Sequence, residues 1–408
     1  MLSVEGNIVS LGSTSYRRIE IGNDGIIVFV GPATGHADIV LKDELIFPGF
    51  IDLHVHAREC ASHLWDYKEE FSTAGQAAIN GGVAAFADMP NNPVPPVDEK
   101  SYADKNQLAK KCAVDVLLYA GIGPGTTPLP YRVPYKVFMG KSVGDLFFKN
   151  RGELESAISK YRGQAVSFHC EDPEILEANK NQPTHELSRP PQAELSAIDF
   201  ALGLIEKYQL QGKICHCSTV GGIKKITAAK KSGLSVTVEV APHHLYYDES
   251  MITEENRKMF QVNPPIRQTK ENRLALIGAL KKGDIDFLAT DHAPHTMAEK
   301  EKGTSGMPQL DTYGPFITWL MFNHGFTPAD IARVCAHNPA RFFNQFSAIK
   351  YGKIEQGFAG SLTIIDMKRP IKITKSHLKT KCGWSPFEGV TFPGRVAMTI
   401  VKGKVYKQ

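Results

Sequence analysis

The sequence predicts an α/β chain: a (β/α)8 TIM barrel with a small β-rich domain formed from both chain termini. Three observations carry that expectation. A length of 408 residues is too great for one small core and suits one large domain with a lesser one. The two ends share a texture of short strands and Gly turns, whereas the middle alternates short apolar strands with amphipathic helical stretches. Repeated β-α units over that middle fit a barrel better than an open sheet, although alternation alone is compatible with both.

At the N-terminal end strands are expected at 6–11, 16–21, 25–30 and 44–47. At the C-terminal end they are expected at 361–366, 371–374 and 396–406, with Lys402-Gly403-Lys404 as the turn of a terminal hairpin. Residues 1–47 and 346–408 are thus assigned to one composite β domain and residues 48–345 to the barrel. Within the barrel, strands are expected at 114–119, 135–138, 165–169, 213–216, 235–240 and 287–290. Helices are expected at 72–80, 153–161, 194–208, 220–231 and 270–281.

Composition narrows the function classes. A formal charge of +4 is small for this length and the lysines are scattered, which argues against nucleic acid or a membrane surface as partner. No apolar run approaches the ~18 residues of a membrane span. Residues 1–10 lack the basic and apolar regions of a secretory signal, so the cytoplasm is expected. Seven cysteines, an odd number without paired spacing, point to reduced thiols. Strand alternation would turn Cys215 and Cys217 away from His216, which makes them small packing residues.

Polar groups gather at the expected strand ends. His54 and His56 close the first strand, where i and i+2 side chains point the same way and can offer two nitrogens to one ion. Lys136 lies within 135–138, His169 ends 165–169, His216 ends 213–216, and Asp291 follows 287–290. In a barrel the carboxyl ends of the strands converge on one mouth. A single buried histidine is more often a satisfied core residue than a ligand. Four histidines, an aspartate and a lysine at six such places favour a metal site. Zinc suits imidazole and carboxylate ligands, and two ions can share a hydroxide ionised near neutral pH. Lys136 is the misfit unless its amine adds carbon dioxide, giving a carbamate that is an anionic bidentate ligand. Otherwise it snorkels to solvent or pairs with an acid.

These residues lie in runs that resemble a known family, the amidohydrolases and among them the dihydroorotases, over almost the whole chain. The runs include Pro48-Gly49-Phe50-Ile51-Asp52-Leu53-His54-Val55-His56-Ala57-Arg58-Glu59, Asp88-Met89-Pro90-Asn91-Asn92-Pro93, Arg189-Pro190-Pro191-Gln192-Ala193-Glu194, Glu239-Val240-Ala241-Pro242-His243-His244-Leu245, Asn263-Pro264-Pro265-Ile266-Arg267 and Thr290-Asp291-His292-Ala293-Pro294-His295-Thr296. Departures include Cys60 in place of a proline, a loop at 61–64 without Gly, and no acidic residue in 357–362. The resemblance implies that His54, His56 and Asp291 hold one Zn2+, His169 and His216 a second, and that carboxylated Lys136 and a hydroxide bridge them. It also implies that Arg58, Asn91 and His295 grip a substrate carboxylate, with Asn263 at the ring and Asp291 as the catalytic proton shuttle.

The activity implied is zinc-dependent, reversible cyclisation of N-carbamoyl-L-aspartate to L-dihydroorotate in de novo pyrimidine biosynthesis. The partner is then a small-molecule substrate, and relatives are often homodimers. Two other readings stay open. One is another cyclic amidohydrolase, a hydantoinase, dihydropyrimidinase or allantoinase, which usually lacks the equivalent of Arg58. The other is a non-catalytic subunit that scaffolds an aspartate transcarbamoylase. The segment 299–306 reads equally as a flap over substrate or as a solvated loop, and His292 as a residue that orients its loop.

Overall fold

Strands Ile39–Pro48 and Phe50–Val55 follow one another with only Gly49 between them, so the terminal sheet and the central strands share a seam. A Cβ on Gly49 would stand 2.7 Å from Ala84 Cβ and 3.0 Å from Ser361 Cβ, a closeness that only glycine permits. The computed structural model describes residues 1–140, 146–267 and 269–408.

Both ends of the chain build one sheet. Its strand order is Lys404–Lys407, Arg395–Val401, Leu362–Asp366, Ile39–Pro48, Leu2–Val9, Thr14–Ile21 and Ile27–Gly31. Leu362–Asp366 runs antiparallel to both neighbours, and Leu2–Val9 runs parallel to Ile39–Pro48. Val4, Ile8, Ile19, Ile46, Leu362, Ile364 and Ile400 form its buried core. The first strand begins earlier than its apolar pattern suggests. Polar Glu5 is accommodated because its carboxylate meets Arg18 on the adjacent strand at 3.3 Å. Ile371–Lys372, expected with the terminal strands, pairs instead with Thr391–Phe392 in a separate two-stranded sheet.

The central strands are parallel and form two arcs. Phe50–Val55, Val83–Asp88 and Asp115–Leu118 make the first. Ala120–Ile122, Tyr135–Phe138, Ala165–His169, Gln211–Ile214, Val236–Val240 and Phe287–Leu288 make the second. Tyr119 joins them: its N–H donates to Asp88 O, and the next N–H donates to Pro134 O. At the opposite junction Thr290 N donates to Asp52 Oδ1 (3.0 Å), and His56 N donates to His292 O (2.8 Å). Among the described residues the sheet ladder is not continuous around the two arcs.

Two strand ends differ from expectation in a way that shapes the site. The ladder stops at Ile214 and at Leu288, so His216 and Asp291 lie beyond their strands rather than at the last strand position. Both have left-handed backbone, φ +34° and +50°, and Arg58 shares that conformation at +62°. Non-glycine residues adopt it at a cost of about 1–3 kcal/mol, and it aims the side chain in a direction that strand alternation does not provide.

Candidate metal centre and substrate pocket

His54 and His56 project from the end of the first central strand toward Asp291. Each offers Nε2 at 3.2 Å from the same oxygen, Asp291 Oδ1. The opposite face of each ring is already committed. His54 Nδ1–H donates to the Glu239 carboxylate, and His56 Nδ1–H donates to Asn91 Oδ1 at 2.7 Å. These bonds fix the tautomers, so both Nε2 lone pairs point at a carboxylate oxygen. Three acceptors facing one another need a proton or a cation between them. Burial pushes the Asp291 carboxyl up to about 8 and holds His54 down at about 3 and His56 well below its ordinary value. The donor set therefore fits a divalent cation that takes neutral imidazole and carboxylate.

His169 and His216 form a second pair, with His169 Nδ1 3.0 Å from His216 Nε2. His169 Nε2–H donates to Glu171 (2.9 Å), which also receives Nε and Nη2 of Arg189. His216 Nδ1 is buried without a partner among the described residues. Lys136 reaches the same cluster from its strand and is fully buried, with Nζ 2.8 Å from Cys215 Sγ. Lys213, equally buried two strands further on, pairs with Glu239; Lys136 has no carboxylate within ion-pair distance among the described residues. Cys215 is thus not the outward packing residue that alternation suggests. Its strand has already ended, and Sγ lies within 4.8 Å of ligand atoms of His54 and Glu239. Cys217 turns to Glu194, 3.2 Å away.

One pocket of about 40 Å³ is lined by His54, His56, Arg58, Asn91, His169, His216, Asn263 and Asp291. Phe138, Ala293, Ser305 and Gly306 complete its wall. Arg58 is 1% exposed and burial lowers it to about 10. Its Nε donates to Pro294 O (3.3 Å) and its Nη2 to His295 Nε2 (3.1 Å), while buried Nη1 has no partner among the described residues. Asn263 Oδ1 is likewise buried and unpartnered. His295 does not line the pocket; it stands behind Arg58 as an acceptor. Lys136 also lies outside the lining. The wall at 305–306 is held by Lys300, whose buried ammonium donates to the carbonyls of Gln261, Thr304 and Gly306. His292 keeps an orienting place: Nδ1 accepts from the N–H groups of Gln309 and Leu310.

The Amidohydrolase family profile matches residues 150–406, and a Dihydro-orotase-like profile matches residues 43–127. A dihydroorotase of Thermococcus kodakarensis is 36% identical over 374 residues, 91% of this chain and 85% of that protein. One from Bacillus licheniformis is 33% identical over 424 residues, spanning 97% and 95%. The chain belongs to the dihydroorotases of the amidohydrolase family. The L-hydantoinase (dihydropyrimidinase) of Arthrobacter aurescens superposes with a TM-score of 0.88 at 24% identity, covering 100% of this chain and 96% of that one. A D-hydantoinase from Thermus sp. gives 0.83 at 21%, covering 100% and 95%. At those identities the likeness shows a shared fold and no more.

In this dihydroorotase-family chain, the acids that orient these histidines carry no role in the motif reading, although Glu239 opens one of the family-like runs. Glu239 fixes His54 and neutralises Lys213; Glu171 joins His169 to Arg189. Glu239 stands at the end of its own strand and Glu171 two residues past His169, so acids close to strand ends were the available signal. Glu239→Gln leaves the Lys213 ammonium buried without a counter-charge, and is expected to cost about 3–5 kcal/mol of stability. Denaturant unfolding of the variant beside the parent measures it, and a loss under 1 kcal/mol would show that the pair is not strongly coupled.

Proposed function

We propose that this chain is a zinc-dependent dihydroorotase, interconverting N-carbamoyl-L-aspartate and L-dihydroorotate. One observation carries the reading: a buried guanidinium with a free N–H sits on the pocket wall beside His54, His56 and Asp291. A buried cation with an unmet donor calls for an anionic ligand, and a carboxylate accepts a guanidinium fork in two charge-assisted bonds. A hydantoin or dihydropyrimidine ring has no carboxylate to offer. Steady-state rates on dihydroorotate, hydantoin, dihydrouracil and allantoin test the proposal; a preference for any of the last three would overturn it.

In our reading Arg58 and Asn91 hold the substrate carboxylate, Asn263 meets the ring, and His295 contributes by accepting from Arg58. His54, His56 and Asp291 would hold one Zn2+, and His169 and His216 the other. Carboxylation of Lys136 would convert a fully buried amine without an acidic partner into the anion that bridges the pair. When bound, such a metal pair polarises a carbonyl oxygen and acidifies water. Asp291 takes the proton of the attacking water in the hydrolytic direction and passes it to the departing ring nitrogen; in cyclisation it enters protonated. Ser305 and Gly306 line the pocket, so the segment 299–306 is placed to cover bound substrate and exclude water.

Removing metal with a chelator is expected to abolish dihydroorotate hydrolysis, and zinc to restore it. Elemental analysis should find two zinc ions per active chain; full activity with one would remove the bridged pair from the mechanism. The two arcs are read as one barrel spanning 48–345, with 1–47 and 346–408 as the attached β domain. All seven cysteines are free, which suits the reducing cytoplasm. No helix among the described residues is long and apolar enough to cross a membrane. A homodimer, and association with an aspartate transcarbamoylase, are proposals that mass measurement with and without the latter protein would test.

A further inference from the structure

A second and larger cavity lies away from the metal pocket and shares no lining residue with it. It measures about 530 Å³ and opens between the end of helix Phe71–Asn80, the start of helix Tyr313–His324 and the segment 370–379. That size is within the range of small-molecule sites, roughly 300–1,000 Å³. Its charged side chains are unequal in a telling way. Lys372, Lys379 and Arg395 line it, with His377 beside them, and Asp311 is the acid among the lining residues.

Asp311 is fully engaged, accepting from Asn80 Nδ2 (2.7 Å) and from the N–H groups of Lys379 (2.8 Å) and Thr380 (3.1 Å). The three cations are not. None of their side chains makes an ion pair or hydrogen bond to a described residue, and Arg395 Nε is buried without a partner. Lys372 and Lys379 are exposed, so the buried Arg395 donor is the decisive one; three other cations of this region are paired, Lys368 with Asp43 at 2.7 Å, Lys381 with Glu70 at 3.6 Å and Arg369 with Asp366 at 3.5 Å. Asp366 even faces Arg395 across the paired strands, yet its ion pair is to Arg369. A buried guanidinium donor without a partner costs about 1–3 kcal/mol, more for a charged group, and a bound anion relieves it. The remaining wall is apolar, from Pro315, Ile371, Ile373, Leu378 and Val396.

We infer that this cleft binds a phosphorylated small molecule, its phosphate oxygens on Arg395, Lys379 and Lys372 and a ring or apolar portion against the Pro315 and Val396 wall. The site is distinct from the one that carries the proposed reaction and does not depend on that reading. Arg suits phosphate through its planar fork and Lys as a mobile point charge, so the set is chemically apt.

The test is calorimetric titration of the metal-loaded protein with ADP, and with pyrophosphate and adenosine as separate probes. Saturable ADP binding is expected, weakened about tenfold or more in Lys379→Gln/Arg395→Gln, which removes one charge-assisted bond from a buried donor and one exposed point charge. Arg58→Met should bind ADP as the parent does. Circular dichroism and basal turnover verify that the double variant is folded; should it fail to fold, Lys372→Gln, at an exposed position, should weaken binding about threefold. The inference is overturned if no probe binds saturably, or if ADP binds the charge variants as tightly as the parent. It is also overturned if Arg58→Met abolishes binding, which would place the ligand in the metal pocket. Pyrophosphate binding equal to that of ADP would mean an adventitious ion only.

Discussion

Replacing Arg58 with methionine is expected to lower kcat/KM for dihydroorotate hydrolysis by about a hundredfold to a thousandfold. Truncating one partner of a desolvated charge pair costs about 2–5 kcal/mol, and each 1.4 kcal/mol is tenfold in rate or affinity. Arg58 meets the conditions for the middle of that range. It is nearly inaccessible, its Nε is fixed on Pro294 O, its Nη2 on His295, and the Trp65 ring centroid lies 5.9 Å from its Cζ. The fork is held in place before a ligand arrives, so little entropy is lost when two more bonds form. Arg58→Lys should recover only part of the loss, because a point charge does not reproduce two parallel bonds. Steady-state kinetics on dihydroorotate and on a neutral hydantoin separate the roles. A variant that loses both substrates equally would mean that Arg58 supports the fold of the pocket and not recognition of an acid.

Asp291→Asn should reduce turnover by about ten-thousandfold, the largest effect expected of any single change. A positioned general acid or base contributes about a hundredfold to ten-thousandfold. Here the same oxygen also stands 3.2 Å from two imidazole nitrogens, so its charge would be lost from the metal set as well. An amide cannot carry the proton from one partner to the other. Metal content measured on the variant divides the two contributions: retained zinc with lost turnover assigns the deficit to proton transfer. Turnover within tenfold of the parent would remove Asp291 from the chemistry.

Much of this site was legible because its local geometry is encoded in few residues. His54 and His56 needed only a strand and a spacing of two, and their rings do converge on Asp291. Strand Ala165–His169 and strand Tyr135–Phe138 have the bounds expected, each a short apolar run with flanking polar residues. Val83–Asp88 escaped notice because its run, Val-Ala-Ala-Phe-Ala-Asp, holds three alanines, which favour helix over strand. Helix Tyr313–His324 escaped because it buries Tyr313, Gly314, Pro315, Phe316, Ile317, Thr318 and Leu320 with no polar stripe to set its period. The left-handed residues were beyond reach: Arg58, His216 and Asp291 are not glycine, and tertiary contacts hold them there. So were the long-range partners, since nothing near His54 in the chain announces that Glu239 will hold its ring.

The terminal sheet sets a timetable for synthesis. Strand Ile39–Pro48 finds one neighbour at once in Leu2–Val9, but its other edge waits for Leu362–Asp366, which pairs Pro48 with Leu362. At about 5–20 residues per second, that edge stays open on the ribosome for about 15–60 s. An unpaired strand edge is a template for another chain, and neighbouring nascent chains on one messenger are the nearest candidates. Crowded translation, more than heat, is then the condition under which this protein should first misassemble. Slower initiation, which spaces the ribosomes, should raise its soluble yield.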